Sequence, residues 1–118
     1  MATTSTIAAK LNGKVGIIYC HFDGYIDNVG SLLFKHYNTE TKIEELIRLG
    51  NLSSLDHNIT KTEAYGRDYH RKNQEAIFSA NHKQALKKLD CSHEFTYYHD
   101  GKDWYVNGKK LEQALLEE

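Results

Sequence analysis

Alternating hydrophobic and polar positions predict a β-hairpin at each end of the chain. Near the N-terminus, residues 3–11 and 14–22 flank an Asn-Gly pair, which favours a tight two-residue turn because both turn positions need positive φ angles. One face of this hairpin carries the apolar side chains Ile7, Ala9, Leu11, Ile18, Cys20 and Phe22. The opposite face carries Tyr19, His21 and, if the strand extends, Asp23, because side chains two positions apart share a face.

The second hairpin lies near the C-terminus. Residues 94–99 and 102–107 flank an Asp-Gly pair, which is another strong turn signal. A two-residue turn at this pair predicts that Tyr97 lies opposite Trp104. One face of the hairpin then carries four large side chains: Phe95, Tyr97, Trp104 and Val106. The agreement between the turn type and the side-chain pattern supports this hairpin.

Apolar positions spaced three or four residues apart indicate amphipathic helices in the rest of the chain. Four helices are predicted. The first runs from Asp27 or Asn28 to Tyr37, and the second covers residues 40–49 and stops at Gly50. The third runs from Ser79 or Asn81 to Leu89, and the fourth covers residues 109–117. Residues 62–69 and 76–78 have the composition of short strands. This order of elements predicts an α+β fold, an antiparallel β-sheet with three or four helices packed on one face.

Length and composition narrow the class of protein. The 118 residues suit a single domain, residues 1–118, and a hydrophobic content of 40% is enough for a packed core. A net charge of -1 gives no electrostatic case for binding nucleic acid or a membrane surface. We expect no signal peptide and no membrane-spanning segment. Two cysteines are too few for a disulfide scaffold, so we expect a cytoplasmic protein.

His21 and Asp23 form the first candidate site. A carboxylate beside an imidazole orients the ring and raises its basicity, which suits metal binding, general base catalysis or phosphate binding. The same two residues also suit a structural role, with His21 hydrogen-bonded across the hairpin and Asp23 shaping the turn before Gly24. The sequence leaves both interpretations open.

Arg67 and Asp68 form the second candidate site, with Arg71 close to them in the chain. An arginine side chain binds phosphate or carboxylate through two parallel hydrogen bonds. Asp68 suits equally a structural ion pair with Arg67, because neighbouring charges commonly pair. Tyr65 and Tyr69 flank the two charged residues and supply rigid contact area with a polar tip.

The spacing of residues gives little support to a metal site, a cysteine nucleophile or a nucleotide-binding motif. The 7 histidines show no His-x-x-x-His arrangement, and the cysteines no Cys-x-x-Cys arrangement, so we expect no metal ion and no cofactor. Cys20 and His21 are adjacent in a strand and point to opposite faces, which argues against a cysteine nucleophile with a histidine base. Glycine-rich nucleotide motifs are missing. We therefore predict no catalytic residues, and favour a non-enzymatic function.

Several blocks of the sequence resemble a family of small bacteriophage and prophage proteins. The most specific block is Tyr19-Cys20-His21-Phe22-Asp23-Gly24-Tyr25, and further similarity lies at residues 1–8, 46–55, 64–68 and 100–106. The resemblance covers most of the chain. It implies a phage accessory protein in the cytoplasm of a bacterial host. Such a protein often disarms a host defence, CRISPR systems included, by binding one of its components.

The leading hypothesis is therefore a phage accessory protein that binds and inhibits a bacterial defence or regulatory protein. One alternative is a small-ligand protein that sequesters or hydrolyses a nucleotide signal. Another is a homo-oligomeric interaction domain whose tyrosines form its own interface. We expect no membrane partner. The predicted binding residues are Tyr19, His21, Asp23, Tyr25, Tyr65, Arg67, Asp68, Tyr69 and Arg71.

Overall fold

The computed structural model describes residues 3–79 and 95–117, so the helix predicted to end at Leu89 lies outside the described residues. The described residues form eight strands: β1 Ser5–Leu11, β2 Lys14–Cys20, β3 Leu52–Ser54, β4 Glu63–Ala64, β5 Ile77–Ser79, β6 Phe95–His99, β7 Trp104–Val106 and β8 Lys109–Lys110. The same residues form three α-helices: α1 Ser31–His36, α2 Glu40–Arg48 and α3 Leu111–Leu116. The predicted α+β class is confirmed.

The eight described strands form one mixed sheet. Seven of them follow the order β4-β3-β2-β1-β6-β7-β8, and β5 also pairs with β2. β1 and β2 are antiparallel, but β1 pairs with β6 and β2 pairs with β3 in the parallel direction. The prediction of an antiparallel sheet is therefore wrong for these two pairs. Tight-turn signals predict only strands that follow each other closely, whereas each parallel pair joins strands separated by a long segment.

The N-terminal hairpin has the predicted register. Ile7 lies opposite Ile18, and a two-residue turn connects β1 to β2. The turn residues Asn12 and Gly13 have φ angles of 51° and 78°, the positive values that this kind of turn requires. Both isoleucines are buried in the main core, as the pattern predicts. The prediction is wrong for Phe22, which follows the end of β2 and is 45% exposed instead of sharing the buried face.

The C-terminal hairpin is shifted by two residues from the predicted register. Tyr97 pairs with Val106, and His99 pairs with Trp104. The turn is longer than predicted because Asp100 closes a loop of four residues, in which its carboxylate accepts two backbone N–H groups at 2.9 Å each. A shift by an even number keeps every side chain on its face, so Tyr97 and Trp104 still share the buried face.

Helix α2 begins at Glu40, as the sequence predicts, and ends at Arg48, one residue before the predicted end. The Thr39 hydroxyl accepts the backbone N–H of Lys42 at 3.3 Å and so satisfies one free donor of the first turn. Arg48 in the last turn pairs with Glu44 at 2.7 Å. Gly50 follows the helix with a left-handed φ of 80°, a conformation that glycine adopts without steric cost.

The segment before α1 differs from the prediction. Neither Asp27 nor Asn28 caps the helix, because a π-helical turn at Ile26–Gly30 continues directly into α1. The Asn28 side-chain amide donates to the carbonyl of Asp23 at 2.9 Å, which ties this turn to the residues after β2. Leu33 of α1 is fully buried in the main core.

The main core lies between the three described helices and one face of the sheet. Its buried residues include Ile7 and Tyr97 from the sheet, Leu33 from α1, Leu46 from α2 and Leu111 from α3. A smaller buried cluster lies on the opposite face of the sheet and contains Ala8, Val15 and Ile17. None of the helices in the described ranges is long and apolar enough to cross a membrane.

Candidate functional site

Backbone hydrogen bonds hold the residues after β2 beside β3. The N–H of His21 donates to the Leu52 carbonyl at 3.0 Å, and the N–H of Phe22 donates to the Ser53 carbonyl at 2.9 Å. The chain then turns at Asp23, whose φ of 56° lies in the left-handed region. The His21 side chain therefore still follows the alternation of β2, whereas the turn at Asp23 interrupts that alternation. The prediction that His21 and Asp23 share one face is wrong for this reason.

His21 is paired with Tyr19 rather than with Asp23. The Tyr19 hydroxyl lies 2.5 Å from Nδ1 of His21, because these two side chains share a strand face. Burial is the main factor that raises the pKa of Tyr19, followed by the nearby Tyr65 and Cys20, so the hydroxyl stays neutral at physiological pH. The expected pairing of the imidazole with the Asp23 carboxylate is not formed between these described residues.

Arg67 and Asp68 form an ion pair that closes the loop after β4. Two guanidinium nitrogens of Arg67 lie 2.9 and 3.0 Å from the two carboxylate oxygens of Asp68. Arg67 also donates to the Thr62 carbonyl at 2.5 Å, and Asp68 accepts the N–H of Ala64 at 2.8 Å. The Arg67 hydrogen bond is the main cause that lowers the pKa of Asp68. These contacts end β4 at Ala64, so the strand predicted over residues 62–69 is much shorter.

Side chains from the end of β2, from β3 and from the loop after β4 converge on one open cleft, here named the aromatic cleft. It is lined by Tyr19, His21, Phe22, Ser53, Tyr65, Tyr69, Arg71 and Gln74. The cleft has a volume of about 570 Å³. The guanidinium carbon of Arg71 lies 4.9 Å from the centre of the Tyr65 ring, and the ring centres of Tyr65 and Tyr69 are 5.9 Å apart. This arrangement favours a cation–π contact.

The structure brings together five of the predicted binding residues and separates the rest. Those that line the aromatic cleft are Tyr19, His21, Tyr65, Tyr69 and Arg71. Asp23 and Tyr25 are exposed in the turn before α1, outside the cleft lining. Arg67 lines an adjoining depression of about 430 Å³, which shares Arg71 and Gln74 with the cleft. Asp68 serves the ion pair with Arg67.

Asn51 organises the aromatic cleft, although no pattern in the sequence marks it. Its side-chain oxygen accepts the backbone N–H of Tyr19 at 2.9 Å, and its amide nitrogen donates to the side chain of Gln74 at 3.2 Å. Its backbone N–H donates to the Gln74 carbonyl at 2.7 Å, and its carbonyl accepts the N–H of Tyr65 at 3.1 Å. Asn51 thus joins the strand side of the cleft to the loop side. Three further lining residues were not predicted either: Phe22, Ser53 and Gln74.

The cleft provides rings, hydroxyl groups and one arginine, which are groups for recognition. Its lining holds no Cys, Asp or Glu; the hydroxyl groups there belong to Tyr19, Ser53, Tyr65 and Tyr69, and the Tyr19 hydroxyl is hydrogen-bonded to His21. Within residues 3–79 and 95–117, no group of three or more His, Cys, Asp or Glu side chains is arranged to hold a metal ion. The groups that the cleft presents are therefore able to contact a ligand through aromatic faces, hydroxyl groups and one guanidinium.

Cys20 is buried in the core, and we expect it to be chemically inert in the folded protein. Burial raises the pKa of its thiol to about 12, so the reactive thiolate does not form near neutral pH. In iodoacetamide labelling followed by peptide mass spectrometry, Cys20 should stay unmodified in the native protein and react fully in guanidinium chloride. Rapid labelling of Cys20 in the native protein would contradict its burial.

The chain was compared with protein-family models, with curated proteins and with solved structures, and none of the three comparisons found a match.

Proposed function

We propose that this chain is a binding protein that uses the aromatic cleft to hold another protein, as a phage accessory protein that inhibits a bacterial defence or regulatory component. The observation that carries the proposal is the concentration of rings around Arg71 in one open cleft. The function is non-enzymatic, and its place is the cytoplasm of the bacterial host.

The exposure of the aromatic side chains supports a protein partner. Phe22 and Tyr69 are 45% and 48% exposed. Burial of these large aromatic rings against a partner would contribute favourable hydrophobic free energy. Tyrosine and arginine dominate the residues that contribute most to protein–protein affinity. The cleft combines both types, and backbone hydrogen bonds hold its strand side rigid before a partner arrives.

The phage context is supported by the sequence resemblance described above. Three residues of its most specific block, Tyr19, His21 and Phe22, line the aromatic cleft. A binding role for the cleft and a counter-defence role for the protein are therefore consistent with each other.

A nucleotide ligand is the second candidate. It is favoured by the exposed rings of Phe22 and Tyr69 beside Arg71, since a base stacks on an aromatic face and an arginine binds phosphate. The third candidate is a homo-oligomer in which the same tyrosines contact a second copy of the chain. Light scattering distinguishes the third candidate from a monomeric binder.

The test is affinity capture of bacterial host proteins on the full chain, compared between matched variants. Phe22→Ala and Tyr69→Ala remove exposed rings from the cleft, whereas Leu116→Ala removes an apolar side chain that is 82% exposed and lies outside it. We expect a host protein that is retained by the wild type and by Leu116→Ala but lost by the two cleft variants, and whose activity the wild type inhibits. A partner that all variants retain equally, or none at all, would contradict the proposal.

A further inference from the structure

Resting on the proposed binding function, we propose a specific chemistry for the partner: the segment that occupies the aromatic cleft carries a carboxylate side chain next to an aromatic or aliphatic one. Arg71 binds the carboxylate, and the exposed rings of Phe22 and Tyr69 contact the apolar side chain. The partner segment is thus an acidic peptide rather than a neutral one.

Arg71 differs from the other arginines of this surface in having no carboxylate partner among the described residues. Arg48 pairs with Glu44 at 2.7 Å, and Arg67 pairs with Asp68 at 2.9 Å. Arg71 instead lies over the Tyr65 ring. A guanidinium in contact with a ring keeps N–H donors along its edge, and these match the two oxygens of a carboxylate.

Two of the carboxylates close to the cleft are already engaged, and a third, Glu75, lines the adjoining depression with Arg71, but these two described residues form no ion pair. Glu63 accepts the Ser54 hydroxyl at 3.2 Å and interacts with Tyr69, while Asp68 is held by Arg67 and by a backbone N–H. None of the side chains that line the cleft is acidic. The charge that complements the cleft is therefore an anion supplied from outside, and an anion that meets Arg71 gains a charge-assisted hydrogen bond.

The rings beside Arg71 indicate that the anion belongs to a polypeptide. A phosphate site typically collects several donors, above all backbone N–H groups at a helix N-terminus or a glycine-rich turn. The aromatic cleft instead offers one arginine within a wide aromatic surface. An acidic residue followed by an apolar one satisfies both parts of this surface, and electrostatic complementarity of this kind selects among partners.

The experiment selects peptides from a random displayed library on the full-length chain and measures the affinity of the best ones by fluorescence anisotropy. We expect selected peptides to contain Asp or Glu next to an aromatic or aliphatic residue. Arg71→Gln should weaken their binding by about tenfold or more, the effect of losing one hydrogen bond between charged groups. Arg71→Lys, which keeps the charge without the paired donors, should fall between Arg71→Gln and the wild type.

Two matched controls separate specific recognition from general charge. Arg48→Gln removes the same charge from the depression that adjoins the cleft, where Arg48 is paired with Glu44. It should leave peptide affinity within about twofold of the wild type, since an exposed ion pair contributes little. Replacing the peptide's acidic residue with Gln or Asn should reproduce the loss seen with Arg71→Gln. The combination of both changes should cost little more than either one alone.

Each remaining outcome contradicts the inference in a different way. One such outcome is that neutral apolar peptides bind the cleft, compete with one another and keep their affinity in the Arg71→Gln variant. This result would overturn the acidic chemistry but leave the proposed function standing. ATP or inorganic phosphate that binds through Arg71 while no peptide does would favour the nucleotide candidate. Failure to select any peptide that depends on Phe22, Tyr69 or Arg71 would overturn both the inference and the proposed function.

Discussion

Replacing Gly50 with alanine should destabilise the protein by about 3 kcal/mol or more, because two independent costs add at this position. Gly50 has a φ of 80°, which an L-residue with a side chain adopts only with strain. A Cβ at Gly50 would also lie 2.1 Å from the Gln74 carbonyl oxygen, which belongs to the backbone and cannot rotate away. Guanidinium chloride unfolding measures the loss directly.

Gly13→Ala is the matched control for this prediction. Gly13 has nearly the same φ, 78°, but nothing lies within 4 Å of a Cβ built there. Its substitution therefore measures the backbone strain alone, about 1–2 kcal/mol. A loss at Gly50 no larger than the loss at Gly13 would show that the Gln74 segment does not lie against Gly50. Because Gln74 lines the aromatic cleft, Gly50→Ala should also weaken any binding at the cleft.

Replacing Tyr97 with alanine should cost about 4 kcal/mol, the second large effect we expect. The Tyr97 side chain is fully buried at the centre of the sheet. Its hydroxyl donates to the Gly24 carbonyl at 2.7 Å, across 73 positions of the chain. The substitution therefore leaves a large cavity and a buried carbonyl without this donor.

Tyr97→Phe separates the two contributions. It keeps the ring and removes only the hydroxyl, so it should cost about 1–2 kcal/mol. Chemical denaturation of both variants, with the slope of the transition checked for constancy, measures the two free energies of unfolding. If Tyr97→Phe is as stable as the wild type, the hydrogen bond to Gly24 does not stabilise the turn after β2.

The parts of the fold that follow from short-range patterns were predictable. The Asn-Gly turn gave the register of β1 and β2, because a two-residue loop allows only one alignment of its strands. In the second hairpin Asp100 added two residues to the turn through its side chain, which the Asp-Gly pair does not reveal, yet the buried face was still correct. The parallel pairing of β1 with β6 depends on a long connection, and no local signal encodes it.

The candidate site was only partly predictable, for a related reason. Alternation along β2 correctly placed Tyr19 and His21 on one face, but it did not reveal that Asp23 leaves the strand at a left-handed φ. The loop after β4 contains residues that stabilise the loop and residues that line the cleft. Only three-dimensional contacts distinguish the two groups. The sequence left open whether Arg67 pairs with Asp68 or binds a ligand; the structure forms the ion pair, whereas Arg71 lies over the Tyr65 ring.

The parallel pairing of β1 with β6 has a consequence for how the protein forms during synthesis. β1 is an interior strand of the sheet, and residues 95–99 supply one of its two neighbours. While a ribosome is still extending the chain, the first hairpin therefore exposes an open edge until most of the polypeptide has emerged. Contacts so distant in sequence slow folding, and an unprotected edge invites association with other nascent chains.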